Sequence, residues 1–266
     1  MVFTQQSLWV NQIRTVWSTL EKGFEVRTTT QCSTHVHVSP AQGTWTLAQV
    51  KGVAMAAVYF ERSIDALVPG YRRINHWCKS NRWNHCFQRL SMAQIFQEIQ
   101  KQTTIEKVAE RVCLCAKDSP TGRGINAKGD FKHYTFRWNM ASLASSKGTI
   151  EFRLPPPSAN ADQAISWIMF VVSFVRWAAQ HAASKLDPSK PAELNDLLQF
   201  VVEGAQLSHV KDLSPVRNLF SGVSALPEGP LQDLKAIAPG DLEKLKAKAK
   251  ERDITMEKYK KLFGYK

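Results

Sequence analysis

Two short stretches of alternating polar and apolar residues constrain the fold of this chain most. Residues 32–40 and residues 148–155 each alternate with a period of two, which is typical of a β-strand with one polar and one apolar face. A sheet that contains both strands would gather four side chains suited to metal and phosphate binding on one face: His35, His37, Glu151 and Arg153.

The remaining apolar patterns predict helices that cover the back of this sheet. Amphipathic spacing predicts helices over residues 5–20 and 45–64. After a run of three prolines, Ser158 or Asn160 can cap a long apolar helix that runs to about Ser184. We therefore predict an α+β fold, in which helices pack on one face of an antiparallel sheet and the polar face carries the site.

The formal net charge of +12 over 266 residues indicates an anionic partner or substrate. Nucleotide, polyphosphate, nucleic acid and acidic substrates all satisfy this charge, and a basic solvated surface with a Lys-rich tail needs no partner. The eight tryptophans favour nucleic-acid binding. Against it, the basic residues are spread along the chain and no recognition motif, such as an aromatic RNP stretch, is present.

Cysteine usage and the first residues favour a cytoplasmic location. The five cysteines are an odd number, and no basic region followed by an apolar run marks a signal peptide. Free thiols in a reducing compartment are therefore expected. The most apolar segment, residues 165–175, is too short to span a membrane, so we predict no membrane-spanning segment.

Each polar pair has a functional interpretation and a plainer one. His35 and His37 can hold a divalent metal and a phosphate, but surface histidines on an edge strand are common. Glu151 can coordinate Mg²⁺ while Arg153 takes phosphate oxygens in a fork, but the two can also form a salt bridge on a solvated sheet face.

Three further features of the sequence bear on substrate, metal and phosphate binding. Arg72 and Arg73 follow a Pro-Gly turn, where they can bind a substrate carboxylate or a transferring phosphoryl group, or remain solvated. The Cys and His residues between positions 76 and 115 lack the spacing of structural zinc modules. No glycine-rich phosphate loop of Walker or Rossmann form is present.

Four motifs, taken in order, resemble one known family. They are Cys32–Pro40 (CSTHVHVSP), Tyr59–Asn75 (YFERSIDALVPGYRRIN), Arg82–Asn84 (RWN) and Gly148–Arg153 (GTIEFR). This order is similar to that of the amidoligase family, particularly its fungal members. The family is placed with the carboxylate–amine ligases of the glutamine synthetase and glutamate–cysteine ligase superfamily. The resemblance covers roughly residues 8–180.

The resemblance implies an enzyme that depends on ATP and Mg²⁺. Such enzymes phosphorylate a carboxylate with the γ-phosphate of ATP, and an amine then displaces phosphate to give an amide. The substrates would be a small-molecule or peptide carboxylate and an amine. The residues implied are His35 and Glu151 for the metal; His37, Asn139 and Arg153 for the nucleotide; and Arg72, Arg73 and Arg153 for neutralising charge during phosphoryl transfer.

One departure from the family pattern concerns the metal. In the family, an N-terminal strand with a Gly-x-Glu-x-Glu pattern supplies further metal carboxylates ahead of the His strand. Here 34 residues precede His35, they predict mainly a helix, and Glu21 and Glu25 lie in no such pattern. Three functions therefore remain open: an active ligase, a relative without catalytic activity that binds nucleotide or a partner, and a basic nucleic-acid-binding protein.

The predicted organisation is an amidoligase-like catalytic domain over residues 1–185, lacking its N-terminal strand, followed by a helical, Lys-rich C-terminal extension over residues 186–266. Without that strand, the sheet would have an open edge with unpaired backbone groups. Such an edge favours association with a second copy of the chain, and a homo-oligomer is therefore expected.

Overall fold

The computed structural model describes residues 6–75, 77–114, 135–144 and 148–227. Within these ranges the helices are α1 Gln6–Gly23, α2 Leu47–Tyr59, α3 Glu61–Ala66, α4 Gly70–Arg73, α5 Met92–Gln100, α6 Ile105–Val112, α7 Ala161–Lys185, α8 Leu194–Gln206 and α9 Ser214–Phe220. The strands are β1 Val36–Val38, β2 Trp138–Asn139 and β3 Ile150–Phe152, and a short 3₁₀ helix spans Ala141–Ala144.

The three strands form one antiparallel sheet in the order β1–β3–β2, with β3 in the centre. In this register Glu151 of β3 lies opposite His37 of β1 and opposite Asn139 of β2. Residues opposite each other in neighbouring strands share a face, so the register gathers these three polar side chains in one row. The antiparallel sheet combined with helices confirms the predicted α+β fold.

The other face of the sheet is apolar and packs on α7. Phe152 lies opposite both Val36 and Trp138, and all three side chains are buried. The ring of Trp138 lies 4.3 Å from that of Phe152 and stacks at 4.8 Å on Phe174 of α7. Burial of side chains of this size stabilises the fold by about 1.5–3 kcal/mol each, and it therefore fixes which row of the sheet faces away from α7.

Helix α7 is the element around which the other helices pack. Asn160 is its N-cap, as one of the two predicted alternatives, and accepts a hydrogen bond from the Gln163 backbone N–H at 3.0 Å. Helices α2 and α8 approach α7 closely because each has a glycine at the crossing. A Cβ on Gly52 or on Gly204 would collide with a backbone carbonyl oxygen of α7.

Two predicted helices differ in detail from the structure. The helix predicted over residues 45–64 is interrupted, because Phe60 leaves helical geometry between α2 and α3 and packs its ring against Phe174 and Phe200. Helix α1 forms as predicted and buries Trp9, but it leaves Leu8 and Val16 largely exposed.

The first part of the predicted C-terminal extension packs on α7 through α8 and α9, which contribute to the same hydrophobic core. The Lys-rich tail lies outside the described residues, and the division at residue 185 stays a prediction. Among the helices that the structure describes, none combines the length and hydrophobicity needed to cross a membrane.

Candidate active site

Glu151 lies at the centre of the polar row, with its side chain almost fully buried. Its Oε2 accepts a hydrogen bond from Asn139 Nδ2 at 2.7 Å. Its Oε1 lies 2.7 Å from Arg153 Nη1, 3.0 Å from His35 Nδ1 and 3.4 Å from His37 Nε2. The structure therefore brings five of the sequence-predicted site residues together around one carboxylate, and we refer to these five as the Glu151 cluster.

The surroundings of Glu151 hold it in the ionised form. Burial by itself would raise the pKa of Glu151, because a carboxylate loses its hydration inside the protein. Hydrogen bonds from His35 and Asn139, together with the charge of Arg153, outweigh burial and lower the pKa to about 2. Glu151 is thus a permanent negative charge at physiological pH.

Both histidines are oriented by neighbouring hydroxyl groups. His35 lies just before β1, and its Nε2 is 2.7 Å from Ser33 Oγ. His37 Nδ1 is 3.2 Å from Thr149 Oγ1 on the loop that enters β3. A partner on the second ring nitrogen fixes the ring orientation, so each imidazole presents a defined nitrogen to Glu151.

Arg153 and Asn139 are likewise held from two sides. Arg153 donates through Nε to the Trp77 carbonyl at 3.2 Å while its Nη1 contacts Glu151. The Asn139 side-chain oxygen accepts from the Ala141 backbone N–H at 3.0 Å, which turns the amide NH₂ toward Glu151. Such double anchoring keeps a side chain in one rotamer, as a preorganised site requires.

Arg72 and Arg73 take different places from the Glu151 cluster. Arg72 is buried and donates to the backbone carbonyls of Leu154 and Arg153 at 3.0 and 2.7 Å. Arg73 donates through Nε to the carbonyls of Asp65 and Val68 at 2.9 and 3.0 Å. Arg72 therefore braces the backbone beside the site, and Arg73 braces the end of α3 and the turn after it. The predicted role of both arginines in neutralising substrate charge stays a prediction.

The cluster contains the donor types that divalent cations accept, namely carboxylate oxygen and imidazole nitrogen. Within the described ranges, however, no three His, Cys, Asp or Glu side chains are arranged to hold a metal ion. The contacts of Glu151 supply a reason, because Oε1 is already hydrogen-bonded to Arg153 and His35. A guanidinium at 2.7 Å also repels a second cation from that oxygen. The arrangement is that of an ion-pair cluster.

Sequence reasoning missed the buried polar groups that support β2. Asn81 is fully buried and pairs with the Trp138 backbone twice, accepting from its N–H at 2.9 Å and donating to its carbonyl at 3.0 Å. Arg137 is buried against the carboxylates of Glu61 and Asp65. The available signal for Arg137 was its spacing of two residues from Asn139, and no local pattern marked Asn81.

Comparison with known proteins gives one family and no individual relative. No curated protein and no solved structure matches the chain. The family described as "Putative amidoligase enzyme" matches residues 3–175, a range that includes α1, all three strands and most of α7. The match covers more than half of the 266 residues and contains every residue of the Glu151 cluster. The chain therefore belongs to the amidoligase family.

Proposed function

We propose that this chain is a ligase that joins a carboxylate to an amine at the expense of ATP, and that the Glu151 cluster is its active site. The observation that carries the proposal is the convergence of two imidazoles, an amide and a guanidinium on one ionised carboxylate, in a chain of the amidoligase family. These donors are the groups that bind phosphate oxygens and orient a nucleotide.

Within the Glu151 cluster, we assign one residue to stabilising the charge of the transferring phosphoryl group and two residues to orienting the nucleotide. Arg153 presents a guanidinium that is fixed by Glu151 and by the Trp77 carbonyl, and we assign it to the transferring phosphoryl group. Preorganised charge of this kind stabilises developing negative charge without moving during the reaction. We assign His37 and Asn139 to the nucleotide phosphates, because both are donors in the same row.

Mg²⁺ bound with ATP would neutralise phosphate charge. His35 and Glu151 are the donors that the family resemblance implies for it, and their contacts with each other and with Arg153 would have to open before Glu151 Oε1 could hold a cation. Arg72 supports the site by holding the backbone carbonyl of Arg153 at 2.7 Å, which fixes where the Arg153 side chain starts. The substrate acid and amine are proposed only as classes.

The four described cysteines have free thiols, which supports the proposal that the protein works in a reducing compartment such as the cytoplasm.

A second function, nucleotide or partner binding without catalysis, is favoured by one specific observation. The carboxylate of Glu151 is already hydrogen-bonded by three side chains, and the described residues supply no further acidic group in a metal-binding arrangement with it. A ligase that transfers a phosphoryl group needs metal as well as positioned donors. The two functions therefore differ in whether Mg²⁺ strengthens the binding of ATP.

Isothermal titration of the full chain with ATP, with and without Mg²⁺, separates these possibilities. We expect Mg²⁺-dependent binding that is lost in His35→Ala and in Glu151→Gln. His85→Ala and Glu21→Gln are matched controls, because both residues are exposed and lie outside the cluster, and they should bind as the wild type does. ADP release should then be measured with pooled acids and amines.

Each outcome of this titration selects one function. ATP binding of equal affinity with and without Mg²⁺, together with no ADP release by the protein, would favour the non-catalytic relative. Absence of ATP binding, or equal binding by wild type and Glu151→Gln, would contradict the assignment of the Glu151 cluster as the nucleotide site.

A further inference from the structure

A separate cavity of about 260 Å³ lies beside α3, between the turn at residues 80–83 and the loop before α8. Its lining shares no residue with the Glu151 cluster. Cavities for drug-sized ligands span about 300–1,000 Å³, so this one suits a smaller molecule, of about the size of an amino acid. Apolar wall is supplied by Tyr59, Trp83 and Met92.

The charged groups that line the cavity have an excess of positive charge. They are two carboxylates, Glu61 and Asp65, and four cations, Arg62, Arg82, Arg137 and Lys190. Arg137 lies 3.1 Å from Glu61 and 2.7 Å from Asp65, so the two carboxylates are engaged with this one buried cation. Lys190 is exposed and lies 3.5 Å from Asp187, which does not line the cavity. Arg62 donates to the Leu226 carbonyl, and Arg82 is the remaining arginine of the lining.

Arg82 is the cation that most needs an anionic partner. Its Nη1 and Nη2 donate to the backbone carbonyls of Phe87 and Leu90 at 3.1 and 2.9 Å, and its guanidinium lies 4.3 Å from the centre of the Trp83 ring. Across the described part of the chain, no carboxylate forms a salt bridge with it. Burial lowers the pKa of Arg82, and the charge of Glu61 only partly opposes this effect.

A partly buried guanidinium without a direct ion pair is unfavourable, because it has lost hydration and the charge of Glu61 compensates this loss only in part. Two carbonyl contacts leave further N–H groups of the five that a guanidinium carries. We propose that this cavity binds a small organic carboxylate, whose charged end pairs with Arg82 and whose apolar part lies against Tyr59, Trp83 and Met92. The proposal goes beyond the ligase function and rests on residues outside the Glu151 cluster.

Substitution of Asp65 tests whether the cavity prefers an anionic or a cationic ligand. Its Oδ1 is buried and has no hydrogen-bond partner among the described residues, so its negative charge is compensated mainly through Oδ2 and Arg137. Asp65→Asn keeps the shape and the Arg137 contact but removes one negative charge from the lining. The substitution should therefore strengthen binding of an anion and weaken binding of an amine.

The experiment is isothermal titration of the full chain, without ATP, at pH 8. Hexanoate tests an organic carboxylate, inorganic phosphate tests an anion without an apolar part, and hexylamine reverses the charge. We expect hexanoate to bind best, with affinity reduced about tenfold or more in Arg82→Gln. Arg89→Gln is the matched control, because Arg89 is exposed and does not line the cavity. Asp65→Asn should raise the hexanoate affinity several-fold.

Three results would overturn the proposal. The first is no hexanoate binding in the millimolar range by wild type or by Asp65→Asn, which remains informative if Arg82→Gln fails to fold. The second is preferential binding of hexylamine that Asp65→Asn weakens. The third is phosphate binding equal to that of hexanoate, since it would remove the role of the apolar wall.

Discussion

Replacement of Glu151 by glutamine should remove a defined, pH-dependent part of the stability of this protein. The native pKa of Glu151 is lowered from 4.5 to about 2 by its hydrogen bonds and by Arg153, whereas the unfolded chain exposes an ordinary carboxyl group. A difference of this size corresponds to about 3 kcal/mol of stabilisation at neutral pH. Glu151→Gln keeps the shape but leaves Arg153 with a neutral partner.

The pH window follows from the direction of the shift. A carboxyl group with a lowered native pKa stabilises the fold above its unfolded pKa and loses that effect as pH falls toward its native pKa. The contribution of Glu151 should therefore be complete above about pH 5, less than half as large near pH 3 and absent below about pH 2. The free energy of unfolding of Glu151→Gln should lack this component.

Urea unfolding at a series of pH values measures the effect directly. The difference in free energy of unfolding between wild type and Glu151→Gln should be about 3 kcal/mol at pH 6 and should shrink as the pH is lowered to 3. Titrating groups that do not contact Glu151 are common to both proteins and cancel in the difference. Glu21→Gln, at an exposed position of α1, is the control and should follow the wild-type curve. Parallel curves for wild type and Glu151→Gln would refute the reasoning.

Three further substitutions test the packing and the buried polar groups. Gly204→Ala should destabilise the protein by about 1–3 kcal/mol, because the added Cβ collides with the Ser173 carbonyl where α8 crosses α7. Asn81→Ala should cost about 2 kcal/mol, since the Trp138 N–H loses its acceptor and the Trp138 carbonyl keeps only the weak Cys113 Sγ donor at 3.4 Å. Burial raises the pKa of Asp65 to about 7, although Arg137 opposes the shift. The free energy of unfolding should therefore fall as the pH rises from about 4 toward 7, because the unfolded chain releases this proton at lower pH than the folded protein does. Asp65→Asn should not show this fall.

Chemical denaturation gives all three results, each against a matched control. Gly23→Ala has open space around the added Cβ and should be neutral or stabilising, and Asn195→Ala lies on the exposed side of α8. A Gly204→Ala protein as stable as Gly23→Ala would mean that α7 and α8 can separate at no cost. An Asn81→Ala effect no larger than that of Asn195→Ala would contradict the support of β2 by Asn81. For Asp65→Asn, a stability difference from wild type that does not change between pH 4 and 8 would contradict the buried charge.

The sequence by itself determined the elements that carry a strong local signal. The alternation around His37 and around Glu151 predicted which side chains share a face, because the two-residue period of a strand depends only on the local backbone. The apolar run after Asn160 likewise predicted α7, since a cap followed by apolar residues marks a helix start. The resemblance carried by the four motifs agreed with the family that matches residues 3–175.

Only the tertiary structure decided how these elements meet. The register that places His37 and Asn139 on either side of Glu151 depends on contacts between residues about a hundred positions apart for β1 and β3, and no local pattern encodes it. The contacts of Arg72 with the backbone carbonyls of Arg153 and Leu154, just after β3, were equally invisible, because adjacent arginines after a turn look alike whether they face solvent or the interior. The cavity beside Arg82 exists for the same reason: its walls come from separate segments that pack together only when the core forms around α7.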